Sequence, residues 1–259
     1  MTTSSYARLL LEYWGIVVDD IPTSRKEEAD FLASFGKTRV LIEEKNKLDN
    51  PAVLAQRAKV LDSDDIHATS LPLVRDNRLS GIVSKAIRQL QSSATLPHEF
   101  RLIWFTVTGM QAEAKYHQFI ATLYGTTKIL EMNQSFYRPC YFFRKNDFHR
   151  HAAILDGAVA AYVSGTSVTA KLCLNPLSHN YAALKSSSVT AAFGKAVEDP
   201  IQREAEGVAF VVDSDIDRND ESGLLAYLQR LWFIALYAQA SPRPAPPRSS
   251  PRSRRSHRC

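Results

Sequence analysis

The run FRLIWFTV, Phe100–Val107, is apolar at every position except Arg101 and Thr106. It lacks the polar–apolar alternation of a half-buried strand, so an extended chain here needs cover on both faces. Helical patterns stand on either side of it. RLSGIVSKAIRQLQSSA (78–94) places Ile82, Val83, Ala86, Ile87 and Leu90 on one side, and MQAEAKYHQFIATLYG (110–125) ends at Gly125. A doubly covered strand between helices implies a layered α/β architecture around a central sheet. The elements before it fit that layout. SSYARLLLEYWG reads as a helix capped by Ser4 or Ser5, and IVV as a short strand. EEADFLASFG and TRVLIEEKNK read as a hairpin turning near Gly36–Lys37. NPAVLAQRAKVL reads as a helix with Asn50 as cap and Pro51 in its first turn, and TTKILEM as a further strand.

Residues 1–135 are therefore expected to form an α/β (α+β) core with a central mixed sheet flanked by helices. Residues 136–240 form a C-terminal α+β block that either extends this sheet or stands alone. Its expected strands are CYFFRKN, AAILDGAVAAYVS, SVTAKLCLN and GVAFVVDSD. Its expected helices are SHNYAALKSSSVTAAFGKAV and ESGLLAYLQRLWFIALYAQA.

Composition narrows the classes. The chain of 259 residues is 45% hydrophobic and 23% charged, enough apolar material for a sizeable core. No run of 18 apolar residues occurs, and MTTSSYARLLLEYWG does not have the pattern of a signal peptide. The expectation is an intracellular protein, cytoplasmic or nuclear, without a membrane partner. Cys140, Cys173 and Cys259 are few and far apart, which suits free thiols in a reducing compartment. The net charge of +5 lies in residues 241–259, which hold six arginines, five prolines and no acid. Without them 26 basic residues face 27 acidic ones. That tail reads as disordered, either a plain solvated segment or a polyanion-binding or nuclear-address segment.

The densest chemistry lies in RVLIEEKNK, Arg39–Lys47, where an aliphatic strand runs directly into alternating charge. Side chains alternate along a strand, so Leu41, Glu43, Lys45 and Lys47 share one face and Val40, Ile42 and Glu44 the other. A hairpin through Gly36 brings Asp30 to the far end of the neighbouring strand, within reach of Glu43. Two carboxylates beside a lysine are suited to Mg²⁺, which takes one or two protein carboxylates and keeps several waters. Such a centre activates water and neutralises phosphoryl charge, and a lysine beside it stabilises the developing anion.

Asp30, then Glu43-Glu44-Lys45 closing an aliphatic strand, resembles the PD-(D/E)XK nucleases, the restriction-endonuclease-like superfamily. The helix–hairpin–helix–strand order over residues 5–107 agrees with that core. The resemblance implies a Mg²⁺- or Mn²⁺-dependent nuclease that cuts phosphodiester bonds, in DNA rather than RNA. It implies Asp30 and Glu43 as metal ligands, Glu44 lending its carbonyl, and Lys45 as the catalytic lysine. It adds Glu12 from the first helix and Gln89 from the helix after the motif. The alternative within the same fold is a non-catalytic module binding nucleic acid or protein. The second half is expected to supply substrate contacts or an assembly surface, a dimer included. The sequence departs from the family at Ala29, where proline is usual, and at Ser93, where one subgroup carries tyrosine. It departs again in the long segment 48–78.

Other patterns point to ordinary structure. His149 and His151 would share a strand face but have no third ligand nearby. DSDIDRND, 213–220, lacks the sixth-position glycine and twelfth-position glutamate of a calcium loop and reads as a strand-to-helix connection. CLNPLSHNYAALKSS reads as ordinary helix capping rather than a phosphate site, and FYRPCYFFRKNDF as a half-buried strand rather than a base-stacking surface.

Overall fold

A computed structural model describes residues 5–22, 28–63, 74–131 and 135–240, with side chains described as far as Leu231. The segment 241–259, with its expected basic tail, lies outside the described residues. The chain divides into two compact units, Met1–Asp215 and Ile216–Cys259.

The first unit opens with α1 (Tyr6–Tyr13), β1 (Val17–Asp20), β2 (Phe31–Phe35), β3 (Thr38–Lys47) and α2 (Pro51–Asp62). It continues through α3 (Asn77–Ser92), β4 (Phe100–Val107), α4 (Ala112–Tyr124), β5 (Thr127–Leu130) and β6 (Tyr137–Phe142). Next come α5 (Asp147–Arg150), β7 (Gly157–Ser164), β8 (Ser167–Leu174), α6 (Tyr181–Lys185) and α7 (Ser188–Phe193). It closes with β9 (Val197–Glu198), α8 (Pro200–Ala205) and β10 (Phe210–Val212). The second unit contains α9 (Glu221–Ala240), whose first turn is capped by the Asp220 carboxylate accepting from the Gly223 amide at 2.9 Å.

A seven-stranded mixed sheet in the order β1-β2-β3-β4-β7-β8-β9 forms the centre. β3, β4 and β7 run parallel, and the β2–β3 hairpin turns at Gly36, whose φ of 65° suits a residue without a side chain. Residues beyond 136 continue this sheet, because β7 pairs with β4 from Leu102↔Gly157 to Val107↔Tyr162. TTKILEM behaves differently from the strands before it. Its β5 leaves the main sheet and joins β6 and β10 in a separate three-stranded sheet.

Strand alternation sorts the core into two layers. Leu41, Ile103, Phe105, Ala158 and Cys173 face α3 and α4. Val40, Ile42, Trp104, Val159 and Leu172 face α1, α6 and α7. Phe105 stacks on Phe119 of α4 at 4.2 Å between ring centroids, and Trp104 lies 6.2 Å from Phe193 and 6.5 Å from Trp14. β4 is thus buried on both faces, as its unbroken apolar run requires.

Two local expectations are corrected. AAILDGAVAAYVS becomes strand only from Gly157, because Asp147–Arg150 is a helical turn that continues into turn structure up to Ile154. That helical turn also separates His149 from His151, since two residues advance about 200° around a helix. SHNYAALKSSSVTAAFGKAV is two short helices, broken at Ser186–Ser187, where the Ser187 hydroxyl donates to the Leu184 carbonyl at 2.7 Å. Serines in series compete for backbone partners and interrupt a helix. Among the described residues no helix is long and apolar enough to cross a membrane.

Phe105 is fully buried between the sheet and α4. Phe105→Ala is expected to cost about 3–5 kcal/mol through lost transfer energy and the cavity left behind. A denaturant melt checks this; a loss below about 1 kcal/mol would mean that the two layers are not packed as described.

Candidate active site

The charged end of β3 is divided between the two faces of the sheet. Glu43 stands opposite Ile103 of β4 and is 0% exposed, on the α3 face. Glu44 points to the other face, where its carboxylate accepts the Ala7 amide of α1 at 3.0 Å. That contact satisfies one of the free N–H groups of the first helical turn and leaves Glu44 only its main chain on the Asp30 side.

The hairpin brings Asp30 to Glu43. The Asp30 amide donates to the Ile42 carbonyl at 3.2 Å, and its carboxylate accepts the Glu44 amide at 2.7 Å. A side-chain oxygen therefore occupies an acceptor position beside the strand ladder. Upstream, the Ala29 amide donates to Ser93 Oγ at 2.8 Å, pinning the start of β2 to the end of α3. Ser93, which departs from one subgroup of the family, thus helps hold the chain that carries Asp30.

Lys45 completes the cluster. Its Nζ donates to Glu43 Oε1 and, at 2.7 Å, to Gln89 Oε1. The Gln89 amide in turn donates to the Glu28 carbonyl at 3.3 Å, which fixes which end of Gln89 meets the lysine. Glu43 Oε2 is buried and meets no donor when its carboxylate is bare, and only the protonated carboxyl can hydrogen-bond to Asp30. A buried carboxylate oxygen without a partner is costly and marks a place where a cation or a donor fits. Among the described residues no three His, Cys, Asp or Glu side chains converge as a metal cluster. Two carboxylates and a carbonyl match what Mg²⁺ needs from protein when water completes its shell.

Glu12 is not part of this group. α1 packs on the Ile42 face, opposite Glu43 and Lys45, and Glu12 pairs with Arg8 at 3.2 Å in an exposed position. The structure thus brings together Asp30, Glu43, Lys45 and Gln89, and leaves Glu12 outside.

The electrostatics follow from burial. Desolvation raises the Glu43 carboxyl most, the hydrogen bond from Lys45 lowers it, and the Asp30 charge raises it again, reaching about 8. Elsewhere, burial lowers His151 against the opposing pull of Asp147.

Family models, curated proteins and solved structures were compared with the chain, and none matches it.

The raised Glu43 carboxyl has a consequence for stability. In metal-free solution the unfolded chain releases this proton near pH 4.5, whereas the folded chain keeps it to about pH 8. The folded state then binds more protons than the unfolded one across that window, so stability falls as pH rises. At about 1.4 kcal/mol per pH unit the total is on the order of a few kcal/mol. Melting curves of Glu43→Gln and the unaltered protein in EDTA, from pH 5 to pH 8, should diverge with the variant gaining. A difference that stays constant with pH would contradict the burial of the charge.

Proposed function

We propose that the protein is a Mg²⁺- or Mn²⁺-dependent nuclease hydrolysing phosphodiester bonds, with DNA as the substrate, in the manner of the PD-(D/E)XK enzymes. The observation that carries this reading is the buried, unpartnered Glu43 Oε2 beside Asp30, with Lys45 held between Glu43 and Gln89. The carboxylates of Asp30 and Glu43 and the carbonyl of Glu44 would hold the metal. When bound, the ion supplies a more acidic water and neutralises charge on a phosphoryl oxygen.

The chain's own residues account for the rest. Two bare carboxylates at Asp30 and Glu43 would repel each other, so without metal Glu43 keeps its proton, and a divalent cation would take that proton's place. Lys45 has three N–H donors, and Glu43 and Gln89 engage two. The third is available to orient a water or to bind a non-bridging phosphate oxygen as charge grows there. Gln89, fixed by the Glu28 carbonyl, is a positioning residue for that lysine.

Single- and double-stranded DNA and RNA incubated with Mg²⁺, with and without EDTA, test the reading. Cleavage of DNA is expected, abolished by EDTA and reduced about 10²–10³-fold by Lys45→Ala, the scale of losing one preorganised donor. Mg²⁺ should also raise the melting temperature of the unaltered protein and leave Asp30→Asn unmoved. Equal cleavage by Lys45→Ala refutes the catalytic role. Binding of nucleic acid with no cleavage of any substrate assigns the non-catalytic alternative.

A further inference from the structure

Strand register joins Glu43 to a second buried glutamate. Glu43 pairs with Ile103, Ile103 with Ala158, Ala158 with Cys173 and Cys173 with Glu198. The five residues form one row across the sheet, and both ends are carboxylates. Glu198 on β9 is 4% exposed, like Glu43 at the other end. Its partners differ. Lys171 Nζ donates to Oε2 at 2.7 Å, Arg203 Nη1 donates to Oε1 at 2.5 Å, and the Tyr141 hydroxyl donates to Oε1. Arg203 Nη1 also reaches Tyr141 Oη at 3.2 Å. Burial raises the Glu198 carboxyl, but Lys171, Tyr141 and Arg203 outweigh it and hold the group below its ordinary value. The carboxylate is therefore charged, and it balances only one of its two cations.

The surplus charge faces open space. Lys171, Glu198 and Arg203 line two cavities at once, one of 580 Å³ and one of 260 Å³. The larger also receives Lys185, already paired with Asp199 at 2.6 Å, together with Lys195 and Glu206. The smaller adds Lys128 from β5 and His117 from α4, and among its described lining residues Glu198 is the one acid, with Glu113 3.9 Å from His117 outside the lining. Burial lowers His117 and favours its neutral form. Lys128, Lys171 and Arg203 against Glu198 leave the smaller cavity two positive charges in excess. Lys171 and Arg203 carry eight N–H donors in all, of which the bonds above use three. A single buried carboxylate needs one cation for neutrality, so Arg203 and Lys128 are more than Glu198 requires.

We infer that the 260 Å³ cavity binds a phosphate dianion, free or as a terminal monoester, between Lys128, Lys171 and Arg203. Glu198 and Tyr141 hold the lysine and the guanidinium in place, so the donors are oriented before the anion arrives. The inference does not depend on the proposed metal site, which lies at the other end of the row.

Calorimetric titration of the full chain with inorganic phosphate tests it. Saturable binding is expected, weakened several-fold by Lys128→Ala and at least tenfold by Lys171→Met. Lys128 is exposed on a short strand, so its variant keeps the fold even if removing Lys171 disturbs Glu198. Asp30→Asn should bind phosphate as the unaltered protein does. Oligonucleotides with and without a 5′-phosphate separate the sources. Competition by the phosphorylated form alone assigns the cavity to a nucleic-acid end, and competition by neither assigns it to a small phosphate. Absence of saturable binding, or equal binding by Lys128→Ala, overturns the proposal and leaves the cluster as an internal ion network.

Discussion

The parallel pairing of β3 with β4 is the contact on which the rest depends. β4 is covered on both faces, so it has one depth in the molecule and no exposed alternative. β3 is locked to it over eight registered pairs, from Val40↔Phe100 to Lys47↔Val107. That register carries Glu43 into the α3 layer and Glu44 into the α1 layer. The same strand therefore places one carboxylate where it is stripped of water and the next where it caps a helix. Neither position is chosen locally; each follows from which face of β4 its neighbour shares.

The two buried glutamates show how environment decides the use of a carboxyl group. Glu43 has one cation partner, a nearby like charge and an oxygen with no donor, and holds its proton tightly. Glu198 has two cations and a tyrosine hydroxyl and releases its proton easily. The first arrangement lacks positive charge and the second has a surplus. One end of the row is therefore suited to a cation, the other to an anion.

Much of the Glu43 cluster was legible because it rests on short-range rules. The division of RVLIEEKNK into two faces needs only the period of a strand, and the approach of Asp30 needs only a turn at Gly36. Gln89 came from the resemblance, and its helical position agrees with the geometry. Glu12 failed because the face on which α1 packs is a tertiary choice, made by Ala7 and Leu11 against Phe31, Val40 and Trp104. Likewise β5 carries the apolar pattern of a strand, and nothing in that pattern says which sheet it joins. The Glu198 network left little local trace, since only Arg203 is near in sequence and Tyr141 and Lys171 lie 57 and 27 residues away. The helical turn at Asp147–Arg150 is set by its asparagine cap, Asn146, whose side chain accepts the His149 amide at 2.6 Å.

Asp30 serves as a ladder-like acceptor for the Glu44 amide as well as a partner of Glu43. A side chain that does both makes the hairpin self-checking. A slip of β2 against β3 by one residue would turn the Asp30 side of β2 to the other layer and break the Glu44 contact at the same time. The same slip would also move Phe31, Ala33 and Phe35 of β2 out of the layer they fill. A misregistered copy would thus lose the carboxylate cluster together with the packing of β2.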